Sequence, residues 1–181
     1  MEFASGNPLE NDEPVKVDEL AGGITTTFDA PVLRDSFLLP DQLSKPVIRV
    51  ELELPWPLPG EVEAVWPGLP VVGFHTIVLA DTGLDPSGDR QVGWFPTSDV
   101  STWLRKQLFP GLREAVDWKE RPLLGRLIVE GWAIVGAKDP ALHVNGHADA
   151  KIDGNGRTRL RLPTTDEITG GRFTLWFWLV G

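Results

Sequence analysis

At 181 residues the chain is long enough to close one well-formed core, and its apolar (41%) and charged (24%) fractions are ordinary for a globular fold. A net charge of −9 opposes nucleic acid and anionic membrane surfaces, both of which call for clustered Lys and Arg. The absence of cysteine excludes disulfides, thiolate chemistry and Cys-ligated zinc, and leaves the compartment open.

Residues 1–20 are acidic and broken by proline (Glu10, Asp12, Glu13, Pro14, Asp18, Glu19), and they are expected to form an extended arm or linker. If ordered, such an arm must lie on another surface. Met1-Glu-Phe-Ala-Ser-Gly6 lacks the basic start and apolar centre of a secretory leader. Its Glu-Phe pair is of the kind a cloning junction leaves, which would make the chain an excised module.

Folding is expected to begin at Gly22, so that residues 21–181 form the domain. The 19 glycines and 16 prolines fall between apolar runs and predict many short strands and turns. Ile24, Thr26 and Phe28 share one face of a first strand. Val47 to Leu54 alternates most cleanly: Ile48, Val50, Leu52 and Leu54 point inward, and Arg49, Glu51 and Glu53 toward water. Prolines 55, 57 and 59 stop it, and the following loop carries Trp56 and Trp66. Strands at 71–80 and 91–95 flank a turn-rich stretch, Asp81 to Asp89.

One segment leaves the β pattern. Val100, Trp103, Leu104 and Leu108 recur at helical spacing behind Thr97 and Ser98 as N-cap candidates, which predicts one inserted helix near 98–109. The β pattern resumes at 123–135, where Gly131 marks a bulge or a close backbone approach. A meander follows. If Asp153 pairs with Arg157, Ile152 faces Thr158, Lys151 faces Arg159, Ala150 faces Leu160 and Asp149 faces Arg161; a slip by one would set arginines against the apolar face.

The chain closes on Phe173-Thr-Leu-Trp-Phe-Trp-Leu-Val-Gly181. Phe173, Leu175, Phe177 and Leu179 share one face, and Thr174, Trp176, Trp178 and Val180 the other. Neither face is polar. The run is therefore expected to be an interior strand covered on both sides, or one that shows an aromatic face to a partner.

Ile24-Thr-Thr-Thr-Phe-Asp-Ala-Pro-Val32 resembles the opening strand of bacterial Ig-like domains found in surface-layer and adhesin-type proteins. Together with Gly170-Gly-Arg-Phe-Thr-Leu-Trp-Phe-Trp-Leu179, it resembles bacterial β-modules of similar length. The resemblance implies a β-sandwich and a non-catalytic surface or scaffold role. The greater length and the helix near 98–109 depart from the Ig-like pattern, so no site is carried over.

Candidate chemistry is sparse. His143 and His147 lie on opposite faces if a two-residue Asn-Gly hairpin joins them, or face each other across a three-residue loop; no third ligand is close in sequence. Asp81, Asp85 and Asp89 offer oxygens for calcium without EF-hand spacing, and an ordinary turn explains them better. No Gly-x-Ser-x-Gly elbow is present, and Glu51 and Glu53 read as solvated strand charges. Arg157, Arg159 and Arg161 form a basic stripe best read as cross-strand pairing.

Tryptophan is the anomaly: eight, with no tyrosine. The expected fold is an all-β, two-sheet antiparallel sandwich, Ig-like or jelly-roll-like. The expected function is a non-catalytic structural or protein-interaction module of a bacterial surface or multi-subunit assembly. Its partner would be another protein or a second copy, met through Trp56, Trp66, Trp94, Trp176 and Trp178. The alternative is a carbohydrate-binding module that stacks a polysaccharide on exposed tryptophans. No cofactor is expected.

Overall fold

In the computed structural model the described residues are 1–28, 30–38, 46–56, 73–79, 82–85, 90–114, 121–138, 143, 149–152, 158–161 and 171–181. Their elements are β1 (Glu2–Phe3), β2 (Glu13–Lys16), α1 (Val17–Gly22), β3 (Ile24–Thr27), β4 (Ile48–Trp56), β5 (Gly73–Val78), β6 (Thr82–Asp85) and β7 (Gln91–Pro96). Next come α2 (Ser98–Trp103), α3 (Phe109–Glu114), β8 (Leu123–Glu130), β9 (Asp149–Ile152), β10 (Thr158–Arg161) and β11 (Arg172–Val180). The fold is mainly β. One sheet runs β1-β3-β7-β6, a second runs β2-β11-β8-β4-β5, and β9 and β10 form a separate hairpin. Apolar residues from both larger sheets and the helices belong to one core cluster.

The five-stranded sheet is mixed. β11 pairs antiparallel with β8 but parallel with β2, Leu179 opposite Val15. This corrects the wholly antiparallel expectation. It also corrects the extended arm at 1–20: β1 pairs with β3, β2 closes one edge of the other sheet, and Phe3, Leu9, Val15, Val17 and Leu20 are buried. The acidic residues of this segment face outward while its few apolar residues reach the core. The segment does lie on another surface, and that surface belongs to the same chain.

On β4 the inward residues Ile48, Val50, Leu52 and Leu54 are buried as their alternation predicts. The helical segment follows its sequence at its start, but it runs past the expected limit near 109, because α3 continues through Pro110 and Gly111 to Glu114. Thr97 caps α2, its Oγ1 accepting from Val100 N–H at 3.4 Å. A π-turn over Leu104–Leu108 joins α2 to α3, and Leu104, Leu108, Phe109 and Leu112 are buried. Gly131 opens a short 3-10 turn that ends β8 before the expected limit near 135. The β9–β10 hairpin has the expected register, Thr158 opposite Ile152 through Arg161 opposite Asp149.

Two glycines have steric reasons. Gly125 on β8 lies opposite Phe177 on β11, and a Cβ there would collide with the Phe177 ring. Gly23 ends α1 with φ of +98°, and a Cβ would come within 2.9 Å of the Trp94 carbonyl oxygen.

Candidate interaction surface

The outward face of the five-stranded sheet collects the polar half of each strand. Register places Trp176 beside Arg126, and Arg126 beside Glu51. One row along, Trp178 lies beside Leu124 on one side and Pro14 on the other. At the end of β8, Glu130 lies opposite Arg172.

Charged residues on this face are bound to one another. Arg49 donates through Nε to Glu51 Oε1 at 3.0 Å and through Nη1 to Glu130 Oε1 at 2.9 Å. Arg172 reaches Glu130 Oε2 through Nε at 3.1 Å, and the Trp132 indole N–H donates to the same oxygen at 3.0 Å. Arg49 is 3% exposed and Glu51 5%, so the expected solvated face of β4 is instead a buried ionic network. The correction has a plain cause. Opposite charges from β4, β8 and β11 meet there, and a carboxylate that receives several donors tolerates removal from water. Burial pushes the Glu130 carboxyl up, but the bonds from Arg172, Arg49 and Trp132 outweigh it and hold it below the ordinary carboxylate range. The bond to Glu130 raises Arg172 above its usual value.

Beside this network lies an aromatic strip. Trp176 and Trp178 are each 38% exposed, whereas Phe173, Leu175, Phe177 and Leu179 on the other face of β11 are buried. The terminal run is therefore interior to its sheet with its tryptophan side half-exposed, which sets aside layers over both faces and leaves the other expected form, a strand with an aromatic face on show. The Arg126 guanidinium sits 5.0 Å from the Trp176 ring centroid, held between Glu53 (3.1 Å) and Glu51 (3.6 Å). Two residues before β2 fix the strip from its other side. Asn11 Oδ1 accepts from Trp176 N–H at 3.0 Å, and Asp12 Oδ1 from the Trp178 indole N–H at 2.7 Å. Asp12 holds a left-handed φ of +63° to do so. Past Trp178 the strip runs over Val180 into a groove of about 340 Å³, whose other walls include Val17, Leu104 and Phe109.

Of the five tryptophans expected to make contacts, the structure brings Trp176 and Trp178 together on this surface. Trp94 is 1% exposed and belongs to the core, which removes it from any contact surface. Its neighbours on β3 and β6, Ile24 and Leu84, show why: β7 is an interior strand. Trp56 closes β4 opposite Gly73, and Trp66 lies outside the described residues. Asp81, Asp89 and His147 also lie outside them, and Asp85 is placed by its backbone in β6. His75 is exposed on β5, and His143 bridges Val135. Sequence reasoning missed Trp132, which is 45% exposed, and the anchoring role of Asp12. The left-handed preference of Asp and Asn at residues 11–12 was the available signal. Comparison with family models, curated proteins and solved structures finds no match.

Proposed function

We propose that this chain is a non-catalytic protein-interaction module, built on a sandwich-type architecture, whose contact surface is the outward face of the five-stranded sheet. The observation that carries the reading is the pair Trp176 and Trp178, neighbours on one strand face, each more than a third exposed and each anchored by a hydrogen bond or a stacked cation. Large aromatic rings already fixed in place lose little entropy on binding and fit the centre of a protein contact. The buried charges beside them are committed to one another, which suits a scaffold better than a site that must act on substrate. A place in a bacterial surface or multi-subunit assembly follows from the resemblance noted in the sequence. Among the described residues no helix is long and apolar enough to cross a membrane.

The carbohydrate reading uses the same two rings. Arg126 argues against it, since its guanidinium occupies one face of Trp176 and leaves less of that ring for a sugar.

A photo-reactive amino acid in place of Thr174, between the network and the tryptophans, tests the proposal in cells that make this protein. A discrete protein adduct, lost in Trp176→Ala/Trp178→Ala, is the expected result. Saturable quenching of tryptophan fluorescence by a polysaccharide, with no protein adduct, would favour the carbohydrate module instead.

A further inference from the structure

Trp176 and Trp178 occupy successive outward positions of β11, yet their surroundings differ in one respect. Trp176 already carries a cation: the Arg126 guanidinium lies 5.0 Å from its ring centroid, held there by Glu53 at 3.1 Å and Glu51 at 3.6 Å. Ring, guanidinium and carboxylates form a closed set. Trp178 has the ring and the carboxylate without the cation. Its indole N–H donates to Asp12 Oδ1 at 2.7 Å, and among the described residues no Lys or Arg stacks on it and none pairs with Asp12.

Both groups are within reach of a visiting side chain, since Trp178 is 38% exposed and Asp12 is exposed. The neighbours of Trp178 across the sheet, Leu124 and Pro14, bring no charge of their own. Lys16 shares this face one row further on, opposite Val180. A cation is drawn to the face of an indole by its quadrupole, and a bond from the indole N–H to a carboxylate moves electron density into the ring and deepens that attraction. Asp12 Oδ1 is engaged by the indole, while Oδ2 makes no bond among the described residues and is left to accept from the same visitor. A guanidinium is the group that can do both, lying flat on a ring while it donates in its own plane. The net charge of −9 favours the approach of a basic partner.

We propose that Trp178 and Asp12 seat an arginine side chain of the partner protein, its guanidinium stacked on the indole and bonded to Asp12 Oδ2. The seat repeats, with a group from outside, the arrangement that Arg126 makes on Trp176 from within. This rests on reading the sheet face as a protein-contact surface and adds the partner group that meets it.

The test is a titration of the 15N-labelled chain, at constant ionic strength, with blocked Gly-Arg-Gly and with blocked Gly-citrulline-Gly, which has the same shape and no charge. The arginine peptide should shift the Trp178 indole N–H saturably, and more than that of Trp176; the citrulline peptide should move neither. Asp12→Asn keeps an acceptor for the indole, tolerates φ of +63° and removes the charge, so it should weaken the arginine peptide about fivefold. An unmoved Trp178 indole, an equal response to citrulline, or undiminished binding by Asp12→Asn would overturn the proposal. If the arginine seat fails in this way while adducts still form at Thr174, the assignment to Trp178 and Asp12 falls and the sheet-face reading stands; loss of both results removes both.

Discussion

Glu130 sits where burial favours a neutral carboxyl, yet donors from Arg49, Arg172 and Trp132 converge on it and keep it ionised. Its pKa is lower in the folded chain than in the unfolded one. Its contribution to stability is therefore fully present above the unfolded carboxylate pKa and is lost as pH falls through the folded one. Glu130→Gln should cost about 2 kcal/mol near neutrality, in the range of hydrogen bonds to charged groups. The gap to the parent chain should close as both are taken to acid, and urea unfolding across pH measures it. Asp12 allows a second comparison. Asp12→Gly removes only the acceptor of the Trp178 indole, whereas Asp12→Ala also places a side chain that disfavours φ of +63°. Asp12→Ala should be the less stable of the two by about 1 kcal/mol, and both should red-shift tryptophan emission as Trp178 loosens. None of these contacts was legible in the sequence. Alternation marks the polar side of β4, but Glu130 stands 81 residues from Arg49, and only the sheet brings them together.

Single elements were read more easily than the contacts between them. β4 and the capped α2 follow from local periodicity, because the inward residues of each are apolar at the spacing of its own geometry. The β9–β10 register followed from keeping arginines off the apolar face, and the hairpin obeys it. β11 was harder. Tryptophan on its second face reads as apolar, although an indole has a polar N–H and a face that accepts a cation, and Asp12 and Arg126 use both. The inner face of β11 also depends on its neighbour, since the Phe177 ring occupies the space where β8 lacks a side chain. Gly125→Ala should destabilise by about 2 kcal/mol through overpacking. Gly125→Ala/Phe177→Leu should recover part of that loss, and a double-mutant cycle of unfolding midpoints would show the coupling; strict additivity would mean that the ring and the glycine are independent.

Across the whole molecule, the first 22 residues join the two larger sheets: β1 belongs to one, β2 to the other, and α1 packs against β7 and the π-turn. Composition hid this, because acidic residues outnumber the few apolar anchors that settle the matter. Deleting residues 1–16 removes Phe3, Leu9 and Val15 from the core, each contributing about 1.5–3 kcal/mol, a total comparable with the net stability of a small domain. The shortened chain should lose its cooperative thermal transition and its near-ultraviolet dichroism; retention of both would show that the N-terminal segment is an accessory.

The parallel alignment of β2 with β11 has a mechanical side. The two strands come from opposite ends of the sequence and run in the same direction, residues 13–16 beside 177–180. Tension applied to the chain on either side of them drags the strands past each other lengthwise, so their bonds are loaded in shear and must yield together instead of unzipping one at a time. Such a clasp resists stretching far better than its four-residue length suggests, and it would let the molecule act as a link that bears load.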